Sequence, residues 1–452
     1  MAIRLCLSTQ TPPVNPVAGR PWPIGDRWVL GRDYVPQIGG VVPMMRALLA
    51  SGRGSWIRGT PTWVALDASG IPERLTTDEG YLLECIHLTP DERHRYGRFK
   101  EEIWRSFHGP SGFRPSLGDY PSFVTYQYRT ALNLLAHAAD HDVFFVNDFQ
   151  QILVGGIIGS AAPVVLRWHI PLDFRGYPEP VRRFFLKSME GFDGIVVSTR
   201  AGLEDLIRAG FHGRAYQIYP YFDPREQRRA SPREVAAFRE RYRLGDAPTI
   251  LSVARMDPVK RQDLLIEAFA RLRPRHPDAR LVLVGGESFS TRPEALGENK
   301  ATRWRALLDA RVRELRLGDA VVFTGGLSAD ELRAAYGSAH VFVHPAPWEG
   351  FGLVVVEAWT HHLPVVVSRG AGVAELVNEG VNGFAVPPGR AEALADRLGT
   401  LLSRPERAER LGAAGSQSAR RCHVARAAPR LREIFDRTID LYARDRHRGW
   451  RS

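Results

Sequence analysis

The sequence predicts an α/β protein of two doubly wound domains, each a parallel sheet with helices on both faces, and a C-terminal helix that returns to the first domain. Three observations predict it. The 452 residues exceed one ordinary domain and suit two of about 200 residues each. Short β-branched apolar runs recur along the chain between helix-like stretches, the alternation that builds parallel sheets. A final helical stretch, about 427–444, follows the last strand signal of the second half, so it can pack elsewhere.

The elements follow in order. Alternating apolar positions at Ile3, Leu5 and Leu7 open the chain as a short strand. A Pro/Gly-rich loop runs to about residue 38, and Gly39-Gly40 precedes VVPMMRALLASG, a helix closed by Gly52. TWVAL (62–66) and YLLECIHL (81–88) read as strands, and 90–107 and 122–139 as helices. VFFV (143–146) and VVLRW (164–168) are strands around a helix, and GIVVS (194–198) is a strand feeding the helix TRAGLEDLIRAG. After a linker near 221–229 come TILSVA (249–254), RLVLVG (280–285), AVVFTG (320–325), HVFVH (340–344) and PVVVS (364–368). This assigns 1–225, with 427–452 crossing back, to one domain and 226–426 to the other. In such sheets ligands bind outside the carboxyl ends of the strands.

Composition removes several function classes. With 44% hydrophobic and 25% charged residues the chain reads as soluble and globular. Cys6, Cys85 and Cys422 are scattered and odd in number, which fits a reduced, cytoplasmic setting. MAIRLCLSTQTPP has no apolar h-region, so no signal peptide is expected. The most apolar run, 152–166, holds three glycines and Pro163 and is too short to span a bilayer, so no stable membrane insertion is expected. The net charge of +11 comes almost wholly from arginine, lysine standing only at 100, 187, 260 and 300. No basic block concentrates that charge, so a nucleic-acid partner is not expected, whereas a phosphate-bearing small ligand gains from the field. Asp140-His141-Asp142 precedes a strand and reads as a loop, and His361-His362 lacks a third ligand, so no metal site is expected. The sequence leaves a homo-oligomer open.

The densest chemistry lies in WEGFGLVVVEAW, 348–359. Glu349 falls in the loop after HVFVH, and Gly350, Phe351 and Gly352 form a turn that runs into a helix starting at Leu353. Amide N–H groups at a helix start make an anion site without any side chain. Glu357 follows eight residues after Glu349, about 12 Å further if helical, so a diphosphate between the two acids leaves a sugar-hydroxyl acceptor at each end. Spacing alone fits a plain glycine turn with one solvated glutamate equally well. A second piece is SVARMDPVK, where Arg255 and Lys260 follow a strand as a fork and a point charge for phosphate. A third is SRGAGVAELV, another glycine turn after a strand; it is not GxGxxG, and no P-loop occurs.

Together these motifs resemble the nucleotide-sugar domain of retaining glycosyltransferases with the GT-B fold, two Rossmann-like domains facing across a cleft. The E-x7-E pattern is Glu349 through Glu357 and the R-x4-K pair is Arg255 and Lys260. The resemblance implies that Glu349 contacts the donor sugar, that the amides of Gly350, Phe351, Gly352 and Leu353 touch sugar and phosphate, and that Glu357 holds the ribose. It implies a glycine loop at Gly39-Gly40 and a histidine at His169. Within this class, glycosyltransferase family 4 among them, three stretches resemble the trehalose-6-phosphate synthases of family 20: YGRFKEEIWRSFH, FFVNDFQQI and VVLRWHIPLDF. By position Asp148 and His169 match donor-glucose contacts, and Tyr96 and Trp104 match the acceptor-shaping segment. Gln10 stands where those synthases carry a phosphate-binding arginine, Asn147 replaces a strand-end histidine, and the first acid of the pair is a glutamate, as in trehalose synthases using free glucose. Arg292 is the remaining candidate for an acceptor phosphate. Residue by residue there are plainer readings: His169 bridging backbone beside Pro171, and Asp148 capping the following helix.

The expected activity is retaining transfer of a hexose, glucose first, from a nucleoside diphosphate sugar to a sugar or polyol hydroxyl, with the nucleotide sugar as co-substrate and no metal or cofactor. Arg255, Lys260 and the turn amides would stabilise the departing diphosphate. The rivals are a pseudo-glycosyltransferase joining cyclitols through nitrogen, a GT-B phosphorylase, and a non-catalytic basic binder of nucleic acid or membrane surface.

Overall fold

The computed structural model describes residues 2–17, 25–37, 40–67, 71–109, 112–286 and 298–449. The chain divides into two compact units, Met1–Asp223 with Val424–Ser452, and Pro224–His423.

The first unit is built on β1 (Leu5–Thr9), β2 (Val14–Pro16), β3 (Arg27–Trp28), β4 (Tyr34–Pro36), β5 (Thr62–Leu66), β6 (Arg74–Thr77), β7 (Leu82–Ile86), β8 (Val143–Asn147), β9 (Val164–Arg167), β10 (Gly194–Val197) and β11 (Ala215–Gln217). Nine of them form one sheet in the order β11-β10-β9-β8-β1-β5-β7-β6-β3. The central strands β1, β5, β8 and β9 are buried at every position, as strands covered on both faces are; β5, β8 and β9 read as apolar runs, whereas β1 showed only alternating apolar positions and ends in Ser8 and Thr9. From β1 the strand order runs one way to β5 and β7, and from β8 the other way to β9 and β10. The loops after β1 and β8 therefore part at the switch point where such sheets bind ligands.

Two features differ from the expected plain parallel sheet. β6 runs antiparallel to β7, its residues alternating exposed and buried as an edge strand does. The stretch before residue 38 is not loop throughout: β2 pairs antiparallel with β4 and β3 joins β6. Trp28 and Tyr34, 1% and 0% exposed, supply the burial that holds these short strands.

Local signals explain the helices around this sheet. Pro90–Phe107 starts on a capping box, Thr89 accepting from the Glu92 N–H while the Glu92 side chain accepts from Thr89 N–H. The C-terminal helix Val424–Gly449 belongs to this unit. Its Phe435 ring meets Phe145 of β8 at 5.1 Å and Trp56 at 6.3 Å.

The second unit is a six-stranded parallel sheet of β12 (Thr249–Val253), β13 (Arg280–Val284), β14 (Val321–Gly325), β15 (Val341–His344), β16 (Val365–Ser368) and β17 (Phe384–Val386), in the order β14-β13-β12-β15-β16-β17. Here the switch point lies between β12 and β15. Among the described residues no helix is long and apolar enough to cross a membrane, and no group of His, Cys, Asp and Glu is arranged to hold a metal ion. Asp140 and Asp142 flank a turn, and Asp142 holds Arg4 through its backbone and side chain, so the triplet is structural.

Candidate active site

In the second unit the loops after β12 and β15 leave adjacent strands, paired Ile250 to Val341 and Leu251 to Phe342. That adjacency brings Lys260 to Glu349. The ammonium bonds Glu349 Oε2 directly, and His344 Nε2, at the end of β15, lies 3.4 Å from the same oxygen. That distance makes the histidine an electrostatic neighbour rather than a full hydrogen-bond donor, and neither of its ring nitrogens has a hydrogen-bond partner. Burial alone would push the Glu349 carboxyl up, but Lys260 and His344 outweigh it and hold the acid well below the usual carboxylate range. Glu349 is thus a carboxylate at neutral pH.

The turn behind it is fixed by two glycines. Gly352, at φ +99°, caps the helix Leu353–Thr360 in the left-handed region that a side chain resists. Gly370, in the SRGAGVAELV turn, passes so close that a Cβ would sit 1.7 Å from the Pro347 carbonyl oxygen. The two turns lie side by side: Gly372 N–H donates to Glu349 O at 3.0 Å and Val373 N–H to Phe351 O at 2.8 Å. Leu353, as the first helical residue, has an N–H with no intrahelical acceptor. Gly350 and Phe351 are buried beneath the turn.

Glu357 lies on that helix, and the Tyr336 hydroxyl donates to its Oε2 at 2.8 Å. Burial pushes the Glu357 carboxyl up, with the Tyr336 bond opposing. Tyr336 is itself buried, and its ring stacks on His361 at 5.0 Å. This bond fixes the orientation of Glu357 through Oε2. Arg255 sits half-buried in the loop after β12, its carbonyl accepting from Gln262 Nε2 at 2.8 Å. Lys260 closes a short turn capped by Asp257, whose side chain accepts from Val259 N–H and pairs with Lys300 at 3.0 Å.

In the first unit Asp148 follows β8 at the switch point, at φ +75° and only 8% exposed. Its Oδ1 accepts from His169 N–H at 3.1 Å. Burial pushes its carboxyl up to about 6, against several backbone donors. His169 Nε2 lies 3.1 Å from Asn147 Oδ1, so the replacement of the strand-end histidine by Asn147 gives His169 a partner. Burial, with Arg167 nearby, holds the imidazole well below its ordinary pKa and hence neutral. The structure joins Asp148, Asn147 and His169 into one cluster at the carboxyl edge of β8 and β9.

The remaining candidates are placed differently. Tyr96 is 2% exposed and lies among core rings, 4.7 Å from Tyr126 and 6.0 Å from Phe123. It faces the core rather than an open acceptor pocket, because helix Pro90–Phe107 turns its apolar face inward; its buried hydroxyl has no partner but lies within electrostatic reach of Asp148. Trp104 is half-buried and stacks on His108 at 4.2 Å. Gly40 is an exposed left-handed residue just before helix Val42–Gly52. Gly39 and Arg292 lie outside the described residues. Gln10 is half-buried after β1, its carbonyl accepting from Leu66 N–H. Sequence reasoning missed Tyr336 and His344; it flagged the SRGAGVAELV turn that holds Gly370 but not its place against Pro347. Of the two missed residues only His344 carried a local signal, as a strand-end histidine five residues before Glu349.

Residues 235–418 match the family described as glycosyl transferases group 1. Over 187 residues the chain is 36% identical to the GDP-mannose-dependent alpha-(1-6)-phosphatidylinositol monomannoside mannosyltransferase of Mycolicibacterium smegmatis, covering 40% of this chain and 45% of the relative. It is 29% identical over 289 residues to the D-inositol 3-phosphate glycosyltransferase of Streptomyces griseus, 59% of each chain. The chain thus spans about half the length of the curated relatives it matches. Among solved structures it is similar to alpha,alpha-trehalose 6-phosphate synthase from Burkholderia multivorans, TM-score 0.76 at 18% identity over 100% of this chain and 99% of that one. It is also similar to the sucrose-phosphate synthase of Thermosynechococcus elongatus, TM-score 0.68 at 19% identity over 97% and 99%. Residues 235–418 are a glycosyl transferases group 1 domain, carried in a chain with the GT-B fold.

Proposed function

We propose that the protein is a retaining glycosyltransferase that moves a hexose from a nucleoside diphosphate sugar to a hydroxyl of a sugar or polyol acceptor, in the cytoplasm and without a metal. The observation that carries this reading is the second unit's array: Lys260 against Glu349, the Gly350–Gly352 turn running into a helix, and Glu357 oriented by Tyr336. A diphosphate laid on the turn meets Lys260, Arg255 and the first helical amides, which would stabilise its growing charge as the anomeric bond breaks. Glu349, held ionised, accepts hydroxyls of the donor sugar, and Glu357 those of the ribose. In the first unit, Asp148 and neutral His169 offer an acceptor and a donor to sugar hydroxyls. Neither glutamate is placed here as a nucleophile; the leaving phosphate takes the acceptor's proton in a front-face transfer, and the acids act by orientation.

Glucose and mannose are the two hexoses to compare. The aromatic and strand-end stretches of the first unit favour glucose, and the likeness of 187 residues of the chain to a GDP-mannose-dependent enzyme favours mannose. The deciding experiment incubates the full chain with UDP-, GDP- and ADP-glucose and GDP-mannose, each against glucose, glucose 6-phosphate, inositol phosphate and glycerol, with mass analysis of products. Transfer or slow hydrolysis of one nucleotide sugar supports the reading. Turnover confined to a sugar phosphate with release of inorganic phosphate would replace it with the phosphorylase, and a cyclitol product coupled through nitrogen with the pseudo-enzyme.

A further inference from the structure

Arg167 ends β9 with none of its surface exposed. Strand alternation turns it away from the core residues Val164 and Leu166. Its Nη2 donates to Ile218 O at 3.1 Å, and its guanidinium lies 5.2 Å from the centre of the Tyr221 ring. Among the described residues its Nε and Nη1 have no hydrogen-bond partner, and neither does the equally buried Tyr221 hydroxyl. No acid pairs with Arg167 among the described residues. A buried arginine stays charged, so this is a fixed cation with two unsatisfied donors and a third donor on its neighbouring ring, an arrangement a fold does not retain cheaply.

We propose that Arg167 and Tyr221 form a buried binding site for a phosphoryl-type oxyanion, either a free ion or a phosphate carried on a sugar acceptor. Nη2 keeps one hydrogen after Ile218, on the edge it shares with one of the unpartnered nitrogens, so one edge of the guanidinium can still grip two oxygens at once and the other nitrogen adds a single donor. The Tyr221 hydroxyl is the additional donor. Because the cation is already desolvated in the fold, an arriving anion meets it at low dielectric, where the attraction is strongest. The position suits a substrate group as well as a free ion. Arg167 is in register with Asn147 and stands two residues before His169, at the carboxyl edge where the sheet's ligands bind. An arginine absent at Gln10 would thus be supplied from a strand two places along the sheet, β1-β8-β9. The site itself does not depend on the sugar-transfer reading; only its acceptor-borne source does.

The test is thermal unfolding of the full chain at constant ionic strength, titrated separately with inorganic phosphate, glucose 6-phosphate and glucose. Since no surface of Arg167 is open, samples are equilibrated long enough for the melting point to become independent of incubation time. Wild type should gain several degrees, saturably, with either phosphate and nothing with glucose. Arg167→Met should weaken the response about tenfold or more, and Tyr221→Phe, which keeps the ring, roughly fivefold. Half-saturation at much lower glucose 6-phosphate than inorganic phosphate supports the site with the acceptor as its source; equal half-saturation supports it with the free oxyanion. A wild-type melting point flat in both phosphates overturns it. So does an Arg167→Met protein that responds as wild type does. If that variant fails to fold, an unchanged phosphate response in Tyr221→Phe overturns the proposal. Turnover is not a readout, so loss of the transferase reading leaves this result standing.

Discussion

Lys260 and Glu349 hold each other at the point where two adjacent strands end, so neither can be changed alone without consequence. Lys260→Ala removes the cation from the proposed diphosphate path and leaves Glu349 without its lysine partner. The expected outcome is roughly a hundredfold fall in kcat/KM, with a stability loss of about 3 kcal/mol, read by steady-state kinetics and denaturant unfolding. Full turnover with unchanged donor affinity would remove Lys260 from the site. Tyr336→Phe deletes one hydrogen bond worth about 1 kcal/mol to Glu357. Donor KM should rise about fivefold while kcat stays within about twofold; a kcat loss without a KM change would contradict the orienting role. Asp148 gives a pH signature. Its folded pKa is raised from 3.8 to about 6, so the folded state holds the proton more tightly. Stability is greatest when the carboxyl is protonated and is lost as pH rises from about 4 through 6, by up to about 3 kcal/mol. Asp148→Asn, whose side chain also tolerates a positive φ, should melt higher than wild type at pH 7.5 and equally at pH 4, by calorimetry. A gap that does not change with pH would show that the acid is not the titrating group.

At the scale of elements, the glycine turns decide whether the site exists. Gly370→Ala puts a methyl group into the Pro347 carbonyl, forcing apart the turns that carry Glu349 and Val373. Overpacking of this kind costs about 1–3 kcal/mol, and donor affinity should fall further than the stability loss alone explains, as read by titration calorimetry with a nucleoside diphosphate. Wild-type affinity in a folded Gly370→Ala protein would show the turn to be mere scaffolding. This requirement was only half legible. The E-x7-E spacing and the glycines behind Glu349 announce a turn into a helix by local rules alone. That a second glycine turn 20 residues later braces it depends on β15 and β16 being neighbours, which no local pattern states. The same limit explains β3, β4 and β6: two to four residues long, they are strands only because a neighbour pairs with them, whereas the fully buried β5 and β8 declare themselves as apolar runs.

For the whole molecule, the two units differ in how they are cut from the chain. Pro224–His423 is continuous, whereas the first unit needs Val424–Ser452 to complete it. A fragment of residues 224–423 should fold cooperatively and bind nucleoside diphosphates without transferring sugar, measured by circular dichroism and calorimetry. Failure to bind would mean that the array at Lys260 and Glu349 is insufficient for the donor. A chain ending at His423 loses Phe435 from Phe145 and Trp56, and its first unit should melt separately and earlier. Several arginines of the basic chain pair with acids across the fold, as in Arg129 with Glu92 and Arg228 with Glu234 and Asp330.

The sequence by itself determined the α/β class, the two-part organisation and the E-x7-E and R-x4-K spacings, because hydrophobic period, glycine punctuation and charge spacing are local properties that short segments carry alone. Only the tertiary structure decided which charges meet: that Lys260 closes on Glu349, that Tyr336 orients Glu357 from 21 residues away, that Tyr96 lies in the core, and that Arg167 is buried without a counter-charge. Those outcomes depend on strand order and on what burial removes from water, and both are settled when the sheets assemble, not along the chain.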